Sequence, residues 1–347
     1  MAFPYSAYGM ADLVPLFEVA PSENYLLQNL NIFDATPSNS IRVMIDKLVE
    51  DNKTLINNPK KRYAPEHDST VRNGGETYFL ELLHFHREDM VSAKDFQDSS
   101  RKPGTQREYE MVDIVSDYVM KHAKAHKRTL ESMYARALFL GQVETPFTAE
   151  APLINYTQSF NAPYMTNTIK LSDTSTDALE VFNGFLDQVS TATDGLWSDV
   201  RRVVVFAGAE FYNSLRFHAS MKSAYQFVDP FSDMNIVYQR KDLLPNVQTF
   251  SLPGLSVDVV KVTDPLITPF IASNSAVMLP IFKNDTGVFS QIYGPASVDT
   301  NLARSGQIQE YYSYQYEKPR GEVEVVSEAS ILPVNHGTAF TLKITAS

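Results

Sequence analysis

The chain has 347 residues, 44% hydrophobic and 20% charged, which is ordinary for a folded protein and enough for one large or two intertwined domains. Thirty Lys and Arg against 41 Asp and Glu leave a formal charge of -11. Phosphate recognition needs clustered cations, so this balance argues against tight, direct nucleic-acid binding but not against weak adhesion to DNA. There is no cysteine, which excludes disulfides, thiolate metal sites and Cys nucleophiles. No run of about 18 apolar residues marks a transmembrane helix, and the opening MAFPYSAYGM has neither the basic nor the apolar region of a signal peptide.

Residues 1–40 scatter aromatics (Phe3, Tyr5, Tyr8, Phe17, Tyr25, Phe33) among Pro4, Pro15, Pro21 and Pro37. This reads as an extended arm with one helical turn near Ala11–Phe17, lying on a neighbour or on its own domain. From Ile41, period-2 alternation sets Ile41, Val43 and Ile45 against Arg42, Met44 and Asp46. A polar tip follows from Asn57 to Gly75, then a second β-like run, ETYFLELLHFHRED. The pattern predicts a long two-stranded hairpin over 41–90. A strand of about 15 residues reaches roughly 50 Å. An isolated ribbon of that kind is marginal in water and needs a supporting surface.

Apolar residues at Met111, Ile114, Val115, Tyr118, Val119, Leu130, Met133, Tyr134, Ala137 and Leu138 predict a helix over 106–140. Thr105 is its N-cap and Gly141 its C-cap. Acidic residues come early (Glu108, Glu110, Asp113, Asp117) and basic ones later (Lys121, Lys124, Lys127, Arg128), in the order that suits the helix dipole. Further on, the sequence predicts a hairpin over 151–172 turning near Asn161-Ala162-Pro163. A helix is expected over about 175–193, stopped by Asp194-Gly195. A strand over 202–207 should lead through Gly208 into a helix over about 209–226. A hairpin follows over 247–264 around Pro253-Gly254. Strands are expected at 276–282 and in QEYYSYQYE, EVEVVSEASI and TAFTLKIT. The class is α+β.

Catalytic chemistry is hard to find. No GK[ST] phosphate loop and no GxSxG elbow occurs, and no Ser, His and Asp share a triad-like spacing. His84 and His86 share a strand face, and His122 and His126 share a helix face. Two readings stand: a metal or pH-sensing site between hairpin root and helix, or polar interface histidines. No cofactor and no catalytic residue is assigned. Tyr312, Tyr314 and Tyr316 share one strand face. They lack interleaved cations, so packing against the long helix is expected rather than base stacking.

This order of parts resembles the major capsid proteins of tailed bacteriophages, the Hong Kong 97 fold, and is most similar to the lambda-type capsid protein E family. The segments that carry the resemblance are NPKKRYAPEHDSTVRNGG, LHFHREDMVSAKDFQ, RRVVVFAGAEFYNSLRFHASMKSAY, LPGLSVDVVKV, AVMLPIFKNDTGVFSQIYGPASVDTNL and SYQYEKPRGEVEVVSEASILPVN. Their order and spacing, over roughly 40–347, are the signal. The resemblance implies an N-terminal arm (1–40), an extended E-loop hairpin (41–90) and a P-domain with a spine helix and sheet (91–145). An A-domain follows (about 146–275), then return strands of both domains (276–347). It implies a shell of pentamers and hexamers enclosing double-stranded phage DNA, assembled in the host bacterial cytoplasm and carried in the virion. The implied partners are other copies of the chain, a separate scaffolding protein, a portal and a cementing protein. Packaged DNA would be touched weakly and without sequence preference, and no membrane is involved.

On the hairpin tip the inter-subunit contact candidates are Lys60, Lys61, Arg62, Tyr63, Glu66, Asp68 and Arg72. A crosslink between a hairpin lysine (Lys53, Lys60 or Lys61) and Asn335, by analogy with the type member of the fold, is not expected. The alternatives are an encapsulin-like compartment and an α+β enzyme or binding module.

Overall fold

The computed structural model describes residues 11–13, 25–45, 78–98, 111–143, 152–226, 247–305, 308–318 and 321–347. In chain order the elements start with β1 (Ala11–Asp12), α1 (Leu26–Asn29), β2 (Asp34–Pro37), β3 (Arg42–Ile45), β4 (Tyr78–Glu81) and β5 (Leu83–Val91). Then come α2 (Ala93–Asp98), α3 (Met111–Ala135), β6 (Gln142–Val143), β7 (Ile154–Asn155), α4 (Tyr156–Ser159), β8 (Met165–Ile169) and α5 (Ala178–Thr193). The second half holds β9 (Val200–Ala207), α6 (Ala209–Arg216), α7 (Ala219–Gln226), β10 (Thr249–Ser251), β11 (Val257–Lys261), β12 (Ser275–Phe282) and β13 (Phe289–Tyr293). The chain closes with α8 (Thr300–Ser305), β14 (Tyr312–Glu317), β15 (Val323–Asn335) and β16 (Leu342–Ala346).

Two six-stranded sheets organise these elements. In the first, the order is β1-β14-β15-β13-β2, and β5 runs antiparallel to β15 along Val91–Leu83. In the second, the order is β10-β11-β9-β12-β16-β8. The apolar run of β9 explains its central place. Val203, Val205 and Ala207 pack with Phe182, Phe185 and Val189 of α5, while Val204 and Phe206 face Leu138 and Phe139 beyond α3. A strand buried on both faces needs apolar residues at every position.

The long helix joins the two sheets. Val115, Val119 and Ala123 lie on Val91, Val323 and Val325 of the first sheet. Beyond Ala135 the helix widens into a π turn, Arg136–Leu140, and stops at Gly141 with φ 67°. A Cβ at Gly141 would come within 2.9 Å of Thr157 and Tyr164, so glycine serves both the left-handed conformation and the close approach.

Several expectations need correction. Ala11–Asp12 is a strand on β14, not a helical turn. Residues 26–32 are not an extended arm: Leu26–Asn29 is a helical turn, Leu26, Leu27, Leu30 and Ile32 are core residues, and the extended part that follows, β2, pairs in parallel with β13. The region 151–172 is no hairpin. The Asn155 side chain accepts from Thr157 N–H at 3.2 Å and starts the turn α4, so β7 stays with β6 while β8 joins β16 in the second sheet. The helix expected over 209–226 breaks at Phe217-His218, where the His218 ring lies 2.9 Å from Ser220 Oγ and 3.1 Å from Asp173 O. Tyr312, Tyr314 and Tyr316 point away from α3. Tyr312 and Tyr314 pack with Ala296 and Val326, because β15 turns Val323 and Val325 toward the helix and leaves Val326 on the other face. Finally, the return run of the hairpin divides at Leu82: β4 pairs with β3, and β5 leaves for the first sheet.

Gly208 turns β9 into α6 directly against the backbone of 272–273; a Cβ there would lie 2.3 Å from the Ala272 carbonyl oxygen. Gly208→Ala is therefore expected to lower unfolding free energy by about 3 kcal/mol, read as a fall in the urea midpoint at unchanged slope.

Candidate assembly surfaces

At the hairpin root, β3 and β4 register Arg42 with Glu81, Val43 with Leu80, Met44 with Phe79 and Ile45 with Tyr78. Alternation then divides the side chains between two faces. Ile45 and Leu80 are buried, Val43 and Tyr78 pack beside them, and the Tyr78 hydroxyl donates to Ser159 O at 2.9 Å. The opposite face carries Met44 at 58% and Phe79 at 72% exposure. Two large apolar side chains directly across an exposed ribbon are a cross-strand pair, and among the described residues nothing of their own chain covers them.

The segment after residue 25 is held from two sides. Glu131 of α3 is fully buried and accepts from Leu27 N–H (2.7 Å), Gln28 N–H (3.2 Å) and Gln28 Nε2 (3.1 Å). The Gln28 amide also donates to Lys127 O at 2.8 Å. From the second sheet, Arg201 donates to Leu30 O at 3.0 Å. Phe33 stacks on Tyr134 at 4.2 Å, and the Tyr134 hydroxyl bonds Gln291. Burial pushes the Glu131 carboxyl up to about 7, against the lowering pull of its backbone donors. The segment thus ties the long helix to the second sheet.

The two histidine pairs meet. His84, His86, His122 and His126 line one cavity of about 420 Å³, together with Arg87, Thr129, Tyr311 and Glu328. His122 lies 2.6 Å from Asp89 Oδ2 and 2.8 Å from Ser327 Oγ. Glu328 accepts from Ser297 N–H and Oγ (both 2.9 Å) and from the Tyr314 hydroxyl (2.9 Å), fastening the loop after β13. Desolvation lowers the basicity of His84 and His122. Burial, with Lys127 nearby, holds His126 at about 4. Among the described residues no group of three or more His, Asp or Glu is placed to hold a metal ion. His122 links α3 to β5 and β15, whereas His84 bonds Ser330 and Ser297 and stacks parallel to His86.

The tip residues Lys60, Lys61, Arg62, Tyr63, Glu66, Asp68 and Arg72, and Lys53 with them, lie outside the described residues. Asn335 is fully buried. Its amide nitrogen donates to Ala137 O at 2.7 Å, and its oxygen accepts from Gly337 N–H at 2.8 Å. It braces the π turn and is not presented to a neighbour. Sequence reasoning missed Glu131 and Phe79. Nothing local marks Glu131 among the helix's other acids, and Phe79 stands out only once the register sets it across from Met44.

The sequence matches the family described as phage major capsid protein E over residues 9–346. No curated protein sequence matches it. The fold is similar to that of a protein described as the capsid protein of an E. coli CFT073 prophage. The TM-score is 0.60 at 12% identity, covering 98% of this chain and 100% of that one. A phage-related protein from Bordetella bronchiseptica RB50 is similar with a TM-score of 0.52 at 10% identity, over 96% of this chain and 95% of that one.

Proposed function

The chain belongs to the phage major capsid protein E family, and from that premise we propose how its parts share the work of a shell. The protein is a structural subunit of the phage head, with the Hong Kong 97-type fold, and not an enzyme. In our reading, the E-loop expected over 41–90 is the part before β5, laid across a neighbour, while β5 pairs with β15 and joins 91–145 in the P-domain with its spine helix. Residues 146–275 act as the A-domain around the capsomer axis, and 276–347 return through both. The subunits form pentamers and hexamers of an icosahedral head enclosing double-stranded DNA, built in the host bacterial cytoplasm. A separate scaffolding protein, a portal and a cementing protein complete the partners. Lys60, Lys61, Arg62, Tyr63, Glu66, Asp68 and Arg72 contact the next subunit.

One observation carries the E-loop assignment: the Met44–Phe79 pair faces outward from a ribbon whose other face is packed on its own core. An apolar pair held in that way has a neighbour as its natural cover. Electron microscopy of the overexpressed protein is expected to show shells or tubes. Deleting 57–75 is expected to leave a soluble subunit that forms no closed particle; normal shells from that deletion would refute the E-loop assignment. Shells filled with enzyme cargo instead of DNA would indicate an encapsulin-like compartment.

A further inference from the structure

The outward face of the spine helix carries a row of cations. Lys121, Lys124 and Arg128 are exposed and spaced i, i+3, i+7, so they share one side of α3. The run from Tyr118 to Leu130 holds four basic residues and no acidic one, in a chain with 41 Asp and Glu. The helix dipole does not account for it, because that effect fades within the last turn. Lys121 and Lys124 lie several turns before the helix ends at Leu140. Among the described residues, neither Lys121 nor Arg128 meets a carboxylate. Lys121 instead lies over the Tyr118 ring at 5.3 Å.

We propose that this row is a contact surface for the phosphate backbone of duplex DNA. The inference rests on the reading of the chain as a shell subunit around DNA, and adds the site of contact. Lys121 to Arg128 spans about 10 Å of helix axis at 1.5 Å per residue. One DNA strand presents about three phosphates over that length, at 3.4 Å each. The row is convex and polar, which suits a charged rod and gives no groove for the apolar side chains of a peptide. Three contacts on an otherwise acidic subunit make a weak, salt-sensitive grip without base reading, so DNA can be spooled and released.

The test is fluorescence anisotropy of the full-length protein with a labelled 30-base-pair duplex of mixed sequence. Three phosphate contacts predict a log–log salt slope of about -2.7, or about 40-fold weaker binding at 200 mM than at 50 mM salt. The variant Lys121→Glu/Lys124→Glu/Arg128→Glu is expected to bind at least 10-fold more weakly at 50 mM, with a flatter slope. It should have unchanged circular dichroism and still form shells. Lys121→Arg/Lys124→Arg should bind as the parent does. Unchanged affinity in the charge-reversed protein would overturn the proposal, and so would its failure to form shells, which would make the row a subunit contact. Polyglutamate displacing the duplex more effectively than unlabelled duplex would assign the row to an acidic protein segment instead. If the parent protein formed no shells, the subunit reading itself would fail, separately from the DNA result.

Discussion

Met44→Glu/Phe79→Glu is expected to abolish closed particles while leaving the subunit folded. Both side chains lie on the outer face of the β3–β4 ribbon, 58% and 72% exposed. Substitutions at such positions change a subunit's own stability by about 0.5 kcal/mol or less. Covering a large apolar side chain contributes about 1.5–3 kcal/mol. The pair therefore gives each copy of the interface several kcal/mol, and every subunit in a shell repeats it. Glutamates in their place would have to be desolvated under the neighbour without a partner. Sedimentation and electron microscopy should show only small species, with a thermal transition matching the parent's. Normal shells would remove the hairpin root from the interface. The neighbouring change Leu80→Glu gives a contrast: Leu80 is buried against Ile45, so that protein should lose folding itself.

Glu131→Ala is expected to cost about 2–5 kcal/mol, since the backbone N–H groups of Leu27 and Gln28 lose their acceptor in a buried place. Glu131→Gln keeps the volume and an acceptor, and separates charge from shape. The carboxyl sits at about 7 in the folded protein against an ordinary value of 4.5, so the folded state holds this proton more tightly than the unfolded one. The stabilisation from that proton is complete below about pH 4.5 and is lost as the pH rises through about 7, to a total of roughly 3 kcal/mol. Urea midpoints from pH 5 to 8 should fall for the parent relative to Glu131→Gln, with the difference levelling above about pH 7.5. Parallel curves for the two proteins would rule out burial of an ionisable Glu131. Asp264, whose charge acts in the same direction on Glu131, would sharpen the effect.

Some of this molecule is legible in one dimension because its cause is local. The period of the long helix, its stop at Gly141, the apolar β9 and the Pro253-Gly254 turn, where Gly254 has φ 75°, all follow from steric rules and from which faces must be buried. The His84/His86 and His122/His126 pairs were visible as shared faces. Their meeting in one cavity was not, because it depends on β5 leaving the hairpin to pair with β15.

Alternation within QEYYSYQYE correctly put three tyrosines on one side but could not say which side. A strand's period is 2 on either face, and only the neighbour decides. Here β15 turns Val323 and Val325 to the helix, and the tyrosines take the other face. The region after Asn155 went wrong because one side-chain cap redirected the chain into different sheets.

In the sequence alone, alternation, helical period and turn residues pointed to a hairpin and a long helix that need a neighbour, because those signals act between near neighbours in the chain; the class of the protein came from its resemblance to a family. Tertiary structure decided the rest. It brought Glu131 to Leu27 across about a hundred residues of chain, set Leu26, Leu27, Leu30 and Ile32 in the core, and set Met44 across from Phe79 on an exposed face. Burial and register belong to pairs of distant segments, and no single segment carries them.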